Sequence, residues 1–305
     1  MTMAKKKLLI LIGPTAVGKT ALSIQIAKRF DLEIISGDSM QIYKHMDIGT
    51  GKITEEEKED VLHHMLDIVE PDEDYSVKAY QDQVTSLINS AHDHEKLPFI
   101  VGGTGLYIKS LIYESYQFND ENEAEKKRLI EHYETFTNEI LYEQLIDKNN
   151  EYAETIHPNN RRRMIRTLIR HDLGDFFNKS TYNNLPKYDI FIIGLHRERE
   201  RLYERINMRV RGMFDEGLLD EVHHLTTNFS LSKTAHAAIG YKEFDGYFNG
   251  ELTLEDVIEQ IQQNSRRYAK RQLTFFRNQL PVTWYDVDKD SIETIMEDIQ
   301  QFINR

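Results

Sequence analysis

The stretch at residues 13–20, GPTAVGKT, has the G-x-x-x-x-G-K-[ST] spacing of a phosphate-binding loop, or P-loop. Glycines in such a loop let backbone N–H groups turn towards phosphate oxygens, and the helix that follows adds its partial positive charge. Lys19 supplies a full positive charge, and the Thr20 hydroxyl is suited to holding Mg²⁺. The sequence therefore predicts a site for a di- or triphosphate group. Its residues are Gly13, Pro14, Thr15, Ala16, Val17, Gly18, Lys19 and Thr20.

The residues beyond the P-loop bear on which phosphate compound it binds. ATP or GTP is the usual occupant, and a nucleotide triphosphatase also needs a second apolar strand that ends in Asp and helps to hold Mg²⁺. The best apolar candidate, residues 98–101 (PFIV), runs into GGTG instead, and only the strand before Asp38 ends near an acid. We interpret the P-loop as a holder for a diphosphate leaving group.

Asp38 follows the second predicted strand directly, in the stretch GDSMQIYKHMDIGTGK. At this position a carboxylate would face the phosphates, so Asp38 is a candidate Mg²⁺ ligand or general base. An Asx turn or a helix cap made by Asp38 and Ser39 fits the same position equally well. Position alone leaves both interpretations open.

A third loop of interest, residues 102–107 (GGTGLY), follows the apolar stretch 98–101. Its paired glycines allow a close approach of the backbone to a ligand, and Thr104 offers a hydroxyl. A tight turn without any ligand explains the pattern equally well.

These loops must be positioned by the elements that precede them. Apolar runs predict strands at Lys7–Ile12, 33–36 and 98–101, and helical patterns cover 20–30 and 77–92. Alternation of strands and helices predicts an α/β fold with a doubly wound parallel sheet of the P-loop type. Because ligands bind outside the carboxyl ends of such strands, the three loops are expected to lie together.

The pattern changes after the third strand. Residues 116–187 are polar and helical, and residues 189–195 (DIFIIGL) then form another apolar strand, followed by mostly helical sequence. We therefore expect a catalytic core made of residues 1–115 and 188–305, interrupted by a helical insertion domain at 116–187.

Bulk properties narrow the class of protein. The chain lacks cysteine, which excludes disulfides, thiolate chemistry and Cys-based zinc sites and fits a cytoplasmic protein. Its apolar runs fall well short of the ~18 residues of a membrane-spanning helix, so no membrane partner is expected. No feature implies a protein partner, and we expect a monomer.

The formal net charge of −13 argues by itself against a nucleic-acid partner. Two acid-free basic stretches, 161–170 (RRRMIRTLIR) and 266–277 (RRYAKRQLTFFR), argue for one. In the first, helical spacing places Arg162, Arg166 and Arg170 on one face. A solvated helix face explains either stretch alone, but two of them in an acidic chain favour an anionic partner.

A third basic stretch, 196–214 (HRERERLYERINMRVRGMF), alternates arginines with glutamates, so most of its charges are expected to pair on a helix surface. Arg209 and Arg211 lie beyond the last of these acids and are predicted to be freer to meet phosphate. His63 and His64 adjoin acids without a metal-binding frame, and we assign them local hydrogen-bonding roles.

Together these motifs resemble the tRNA dimethylallyltransferases, also called tRNA isopentenyltransferases. The matching stretches follow the family's order and cover nearly the whole chain, less clearly at 112–156. They are GPTAVGKT (13–20), ISGDSMQIYKHMDIGTGK (35–52), HHMLDIVEPDEDYS (63–76), PFIVGGTGLYIKSL (98–111), HPNNRRRMIRTL (157–168), RINMRVRGMFDEGLLDEV (205–222), AIGYKEF (238–244) and RRYAKRQLTFFR (266–277).

The resemblance implies transfer of a dimethylallyl group from its diphosphate to N6 of the adenosine just 3′ of a tRNA anticodon. It implies that Asp38 is the general base and that Arg209 and Thr20 act in catalysis, with Mg²⁺ held at Thr20. The P-loop would bind dimethylallyl diphosphate, and pyrophosphate would leave. The adenosine must leave its stack to reach such a site.

The resemblance also implies which residues meet the tRNA. The helical insertion would grip the anticodon stem-loop, and further contacts would come from the two loops after the second and third strands. The implied tRNA-binding residues are Asp38, Ser39, Met40, Gln41, Thr104, Arg162, Arg163, Met164, Ile165 and Arg166.

Three other functions remain open from the residues. A relative that prenylates free adenine nucleotides would share the core but would have less need of the basic stretches 161–170 and 266–277. A P-loop kinase or NTPase would release or transfer phosphate from ATP. A non-catalytic RNA-binding module would tolerate loss of the Asp38 carboxylate.

Overall fold

The structure is a computed structural model that describes residues 5–113, 123–173 and 185–305. Within these ranges six strands form one sheet, and every pairing between them is parallel. The strands are β1 (Lys7–Ile12), β2 (Ile34–Ser36), β3 (His63–His64), β4 (Phe99–Gly102), β5 (Asp189–His196) and β6 (Thr283–Asp286). Their order in the sheet is β3-β2-β4-β1-β5-β6.

Helices connect and follow the strands. In chain order they are α1 (Lys19–Phe30), α2 (Glu55–Lys58), α3 (Val77–Asp93), α4 (Gly105–Ile112), α5 (Glu123–Glu134), α6 (Asn138–Ala153), α7 (Arg161–Asp172), α8 (Arg199–Asp215), α9 (Leu218–Asn228), α10 (Lys233–His236), α11 (Asp245–Phe248), α12 (Leu254–Gln279) and α13 (Ile292–Asn304), with a 3₁₀ turn at Lys242–Phe244.

The centre of the sheet is apolar because it is covered on both faces. In β1 every residue from Leu8 to Ile12 is fully buried, as expected of a strand inside a parallel sheet. Apolar residues of α1, α8 and α13 join the same core, among them Ile26, Leu202 and Ile299. The predicted α/β fold with a doubly wound parallel sheet is confirmed.

The register of the sheet brings its carboxyl ends level. Ile100 of β4 lies opposite both Ile35 of β2 and Ile10 of β1. The loops that follow these three strands therefore start side by side, as the sequence predicts. A backbone hydrogen bond from Gly37 to the carbonyl of Val101, 2.8 Å long, ties two of them directly.

Two strands at the edges of the sheet were not predicted. The first, β3, has only two residues, His63 and His64, and the second, β6 (TWYD), has one exposed, two half-buried and one buried residue. Neither carries the apolar run that marks the central strands. His63 makes the expected local bond, with 2.8 Å between its Nδ1 and the carbonyl oxygen of Val61, whereas His64 contacts the more distant Glu33.

Contacts divide the chain into two compact units, 1–113 with 186–305 and 114–185, each boundary lying two residues before the predicted one. In the second unit, α5, α6 and α7 pack around a core of their own that includes Tyr133, Leu141 and Leu168. In the first unit, the two ends of the chain that flank the insertion are paired. The N–H of Lys187 donates to the carbonyl of Ile112 over 2.7 Å.

Within the described ranges, no helix combines the length and the apolar character needed to cross a membrane.

Candidate active site

The P-loop connects β1 to α1 and ends at Gly18, the residue before the helix. Gly18 adopts φ 112°, a left-handed conformation that glycine tolerates and other residues resist. The first turn of α1 starts at Lys19, so its free N–H groups and the positive end of the helix dipole face the loop. This is the geometry of an anion-binding turn.

The side chain of Lys19 folds onto the P-loop and is hydrogen-bonded to its backbone. Its Nζ donates to the carbonyl oxygens of Gly13 and Pro14, both at 2.9 Å. Burial lowers the pKa of Lys19 from 10.5 to about 8; the negative charge of Asp38 opposes this shift and the positive charge of Arg209 adds to it. The site thus keeps a cation of reduced pKa beside the place where an anion would bind.

Arg209 lies on α8 and contacts the P-loop. Its Nη1 lies 3.5 Å from Oγ1 of Thr15, and its Nη2 donates to the carbonyl of Gly51 over 3.2 Å. Burial lowers the pKa of Arg209, and the charge of Asp38 partly offsets that effect. A guanidinium remains charged under these conditions, since its unperturbed pKa is far above neutrality.

Asp38 makes the Asx turn that the sequence left open. Its Oδ1 accepts the N–H of Met40 at 2.9 Å. Its charge also raises the pKa of both Lys19 and Arg209 against the effect of burial, so the carboxylate lies within electrostatic reach of both cations. Turn formation and a place in the charged site are therefore compatible.

Thr104 joins the loop after β4 to the loop after β2. Its Oγ1 accepts the N–H of Ser39 at 3.0 Å and donates to Oγ of Ser39 at 3.2 Å. Its own N–H donates to the carbonyl of Gly37 at 3.1 Å. These bonds fix Ser39 next to Asp38, so Thr104 has a structural reason for its position in addition to any contact with a ligand.

The other two residues of interest in the loop after β2, Gln41 and Met40, make different kinds of contact. Gln41 donates from Nε2 to the carbonyl of Gly51 at 3.2 Å, which places it on the same acceptor as Arg209. Met40 is half-buried against an apolar cluster that includes Tyr241 and Phe244. Both residues also line the cavity described next.

A cavity of about 1050 Å³ opens over the P-loop. Lys19, Thr20, Asp38 and Arg209 all line it, and its wall also includes apolar side chains. The apolar members include Ile24, Ile34, Val101, Ile206, Val210 and Ile261. The cavity can therefore accept a ligand that carries both a charged phosphate end and an apolar part.

Gln272, on α12, is a buried residue that sequence reasoning did not single out. Its Oε1 accepts the N–H of Thr15 at 3.0 Å, and its Nε2 donates to the carbonyl of Gly103 at 2.9 Å. One amide thereby holds the P-loop and the loop after β4 together. The resemblance includes this residue within RRYAKRQLTFFR, but its type alone gave no role.

Tyr268, one turn before Gln272 on α12, also lines the cavity. Burial and the charge of Asp38 raise the pKa of its phenol, whereas hydrogen bonds to Thr104 and Gln272 oppose the rise. The phenol is therefore protonated at neutral pH and available as a donor. Its neighbour Arg271 lies over its ring, 5.7 Å from the centroid, and is exposed at the cavity.

The basic helix α7 belongs to the second unit. Arg162, Arg163 and Arg166 are exposed, whereas Met164 is fully buried in the core of that unit and Ile165 is half-buried against it. Partial desolvation of its guanidinium and the neighbouring positive charges of Arg162 and Arg170 lower the pKa of Arg166. The exposed arginines form a surface of concentrated positive charge, and Met164 holds the helix in place beneath it.

One prediction about the third basic stretch is wrong. Arg211 is not left free for phosphate, because its Nη2 pairs with Oε1 of Glu255 at 2.6 Å on the protein surface. The partner comes from α12, so the sequence near Arg211 gives no sign of it. Arg201 makes the expected pair within the stretch, with its Nε 3.9 Å from Oε2 of Glu198. Arg197 instead pairs with Asp288 at 3.1 Å, and Arg205 donates to the carbonyl of Ala16 at 3.1 Å.

A family model described as IPP transferase matches residues 41–279. A tRNA dimethylallyltransferase of Anoxybacillus flavithermus is 51% identical over 292 residues, which cover 94% of this chain and 92% of the relative.

Solved structures agree with these matches. The tRNA isopentenylpyrophosphate transferase of Bacillus halodurans has a TM-score of 0.74 and 43% identity, with 98% of this chain and 97% of that chain covered. A eukaryotic dimethylallyltransferase acting on tRNA has a TM-score of 0.84 and 27% identity, with 98% and 80% covered. On the strength of these matches, the chain belongs to the IPP transferase family, whose members at this level of identity are tRNA dimethylallyltransferases.

Proposed function

We propose that this protein transfers a dimethylallyl group from dimethylallyl diphosphate to N6 of the adenosine 3′ of the anticodon in tRNA, releasing pyrophosphate. Family membership supports prenyl transfer to tRNA. The observation that carries the site assignment is that Lys19, Asp38 and Arg209 line one cavity with the P-loop. Two cations for a leaving diphosphate and a carboxylate for an acceptor proton meet there.

The diphosphate end of the donor is assigned to the P-loop. Free N–H groups of the first turn of α1 would bind its oxygens, and Lys19 would exchange its bonds to Gly13 and Pro14 for bonds to phosphate. Arg209, already within 3.5 Å of Thr15, would neutralise the charge that grows as the allylic C–O bond breaks. The apolar wall of the cavity suits the five-carbon chain.

Asp38 is assigned as general base. The exocyclic amine of adenosine is a poor nucleophile because its lone pair is delocalised into the ring. A carboxylate that accepts a proton from N6 as the new N–C bond forms relieves this problem. Asp38 fits because its Oδ1 is fixed by the N–H of Met40, which orients the carboxylate in the cavity. The balanced products are N6-dimethylallyl adenosine, pyrophosphate and one proton.

Mg²⁺ is assigned to Thr20 together with the bound diphosphate. Among the described residues, no group of three or more His, Cys, Asp or Glu side chains is placed to hold a metal ion. This fits Mg²⁺, which commonly takes one or two protein oxygens and completes its shell with phosphate and water. The Thr20 hydroxyl lines the cavity and is such an oxygen donor. When bound, the ion would neutralise charge on the diphosphate.

The tRNA contacts are assigned to two regions. In the first unit, Ser39, Met40, Gln41 and Thr104 stand beside Asp38, where the target adenosine would enter. In the second unit, the exposed Arg162, Arg163 and Arg166 are assigned to the RNA backbone, with Ile165 at their base and Met164 in a supporting role. Concentrated positive charge on an otherwise acidic protein suits this partner. The monomeric state and the cytoplasmic location stay predictions.

The test is incubation of the protein with dimethylallyl diphosphate, Mg²⁺ and unmodified tRNA, followed by nucleoside mass spectrometry. We expect adenosine to gain one five-carbon unit, together with one equivalent of pyrophosphate. Parallel reactions with AMP in place of tRNA, and with ATP in place of the prenyl donor, test the two enzymatic alternatives. Prenylated AMP with unmodified tRNA, or phosphate release from ATP, would reject the proposal.

A further inference from the structure

The carboxylate of Glu221, on α9, accepts hydrogen bonds from three successive backbone N–H groups. Its Oε2 accepts from Asp47 at 2.9 Å and from Ile48 at 2.7 Å, and its Oε1 accepts from Gly49 at 3.0 Å. A carboxylate is suited to such a row because it only accepts hydrogen bonds and offers about four lone-pair sites. Bonds of this kind to a charged acceptor are stronger than neutral ones.

Tyr241 completes the arrangement. Its hydroxyl donates to Oε1 of Glu221 at 2.7 Å, and a Cβ atom at Gly49 would lie 2.6 Å from its ring. Burial and the charge of Glu221 raise the pKa of the Tyr241 phenol well above 10, so it stays a donor over the working pH range. The carboxylate therefore holds four hydrogen bonds from the described residues.

The segment held in this way leads directly to Arg209. The N–H of Gly51 donates to the carbonyl of Ile48 at 2.9 Å, and the N–H of Lys52 donates to that of Asp47 at 2.9 Å, so the segment is one closed turn. The carbonyl at the end of that turn, on Gly51, accepts Nη2 of Arg209 at 3.2 Å. Fixing residues 47–49 thus fixes the acceptor that orients the guanidinium.

Arg209 and Glu221 come from neighbouring helices of one hairpin. Arg209 lies on α8, the chain turns at Gly217 with φ 102°, and Glu221 lies in the first turn of α9. The hairpin thus supplies both the cation and the carboxylate that secures the turn receiving it.

We propose that Glu221 is a positioning residue for Arg209: it anchors the turn at 47–51 so that the guanidinium points at the diphosphate of the donor. This inference rests on the proposed function, because it takes the P-loop ligand to be an allylic diphosphate. Glu221 itself touches neither substrate. Its effect is on binding of the diphosphate and of pyrophosphate, with no direct effect on the affinity for tRNA.

The test is a double-mutant cycle read by calorimetric binding of pyrophosphate with Mg²⁺. Glu221→Gln removes at least one strong acceptor, and we expect the Kd for pyrophosphate to rise about tenfold, the size of one charge-assisted hydrogen bond. In an Arg209→Ala background the same change should raise the Kd less than about twofold, because the group it positions is absent. The Kd for tRNA should change less than about twofold.

Two controls keep the result interpretable. Tyr241→Phe removes a single bond to Glu221 and should give a smaller rise in the Kd for pyrophosphate. It replaces Glu221→Gln as the test if that variant does not fold. Asp298→Ala, which removes from α13 the acceptor of the 2.6 Å bond donated by the Tyr285 hydroxyl of β6, should leave the Kd for pyrophosphate unchanged. If Glu221→Gln raises the Kd for pyrophosphate equally with and without Arg209, the proposal is overturned. It is also overturned if the folded Glu221→Gln variant binds pyrophosphate with an unchanged Kd. Because the readout is pyrophosphate binding, it is independent of whether tRNA is prenylated.

Discussion

The guanidinium of Arg209 fills the space beside Gly51 that a side chain would need: a Cβ atom there would lie 1.5 Å from Nη2. Gly51 also adopts φ 58°, in the left-handed region. The position therefore requires glycine for two independent reasons, and only one of them concerns the site.

Gly51→Ala should separate these two reasons. We expect it to displace the guanidinium and reduce kcat/KM for dimethylallyl diphosphate at least about tenfold, as the loss of an oriented charge contact would. Steady-state kinetics at saturating tRNA gives the measurement. The matched control is Gly250→Ala, where φ is 75° and no atom lies near the added Cβ. It should cost about 1 kcal/mol of stability and leave kcat/KM unchanged. Equal losses of activity in both variants would refute the role of the contact.

Asp38→Asn should abolish the base while keeping the turn, because an amide oxygen can still accept the N–H of Met40. We expect the single-turnover rate to fall by about 100-fold or more, with the Kd for tRNA changed less than about threefold, because the substitution removes no positive charge that neutralises RNA phosphates. Rapid-quench kinetics and a filter-binding assay measure the two quantities. A comparable loss of tRNA affinity would instead assign Asp38 a structural or binding role.

Gln272→Met should loosen the P-loop, since it removes the two bonds by which the amide joins Thr15 to Gly103 while keeping the side-chain length. We expect the affinity for an unreactive thio-analogue of dimethylallyl diphosphate to fall about fivefold to tenfold, in line with the loss of a buried hydrogen bond. Calorimetry gives the affinity. Gln262→Met, on the same helix, loses one bond to the carbonyl of Asn207 at 3.2 Å and provides the control. If both variants bind the analogue equally well, Gln272 does not position the loop.

Binding of the diphosphate should depend on pH through Lys19, whose pKa in the free protein is about 8. Above that value Lys19 is largely neutral, and a bound anion favours its charged form, so binding should take up a proton and weaken as the pH rises. Calorimetry at pH ~8.5 in buffers of different ionisation enthalpy detects this uptake. Lys19→Met should abolish it; uptake that persists in this variant would assign the proton to another group.

The same shift has a consequence for the free protein. In the unfolded chain Lys19 keeps its proton up to about 10.5. The unfolded state therefore binds more protons than the folded state between about 8 and 10.5, and this group should make the free energy of unfolding rise with pH across that window. Urea titrations of the wild type and of Lys19→Met compare the slopes. Equal slopes would count against the shift.

Arg162 and Arg166 together should contribute to the salt dependence of tRNA binding. The double change to Ala should weaken binding at low salt and reduce the slope of log K against log salt by about two. Fluorescence anisotropy over a range of KCl concentrations measures the slope. Arg128→Ala provides a control on the same unit, because Arg128 is exposed and lies 3.4 Å from Glu125. An unchanged slope in the double variant would exclude α7 from the RNA surface.

The sequence was sufficient where function depends on local pattern. The P-loop needs only a strand, a glycine-rich turn and a helix, all of which occur within residues 7–30, and its position followed from that pattern. The neighbouring loops after β2 and β4 were also located, because apolar strands of a parallel sheet deliver their carboxyl ends to one edge. The alternatives left open for Asp38 were open for a physical reason, since one carboxylate can close a turn and face a cation.

The sequence was insufficient where a role depends on a partner distant along the chain. Arg211 was predicted to be unpaired because its partner, Glu255, lies on α12, more than 40 positions along the chain. Gln272 and Glu221 are ordinary polar residues of helices, and their significance comes from backbone groups more than 150 positions away. Edge strands such as β3 were missed because two half-buried histidines carry no periodicity to detect.

The hydrogen bond between Lys187 and Ile112 closes the base of the inserted unit within the first unit. Because Ile112, at the end of α4, and Lys187, just before β5, are hydrogen-bonded neighbours in the first unit, the residues between them form an insertion that can be lengthened, shortened or exchanged. Loop closure costs only about 0.6 kcal/mol for each doubling of length, so the stability of the first unit depends little on the length of the insertion. The insertion can therefore change in sequence or length while the hydrogen-bonded positions in the first unit stay the same.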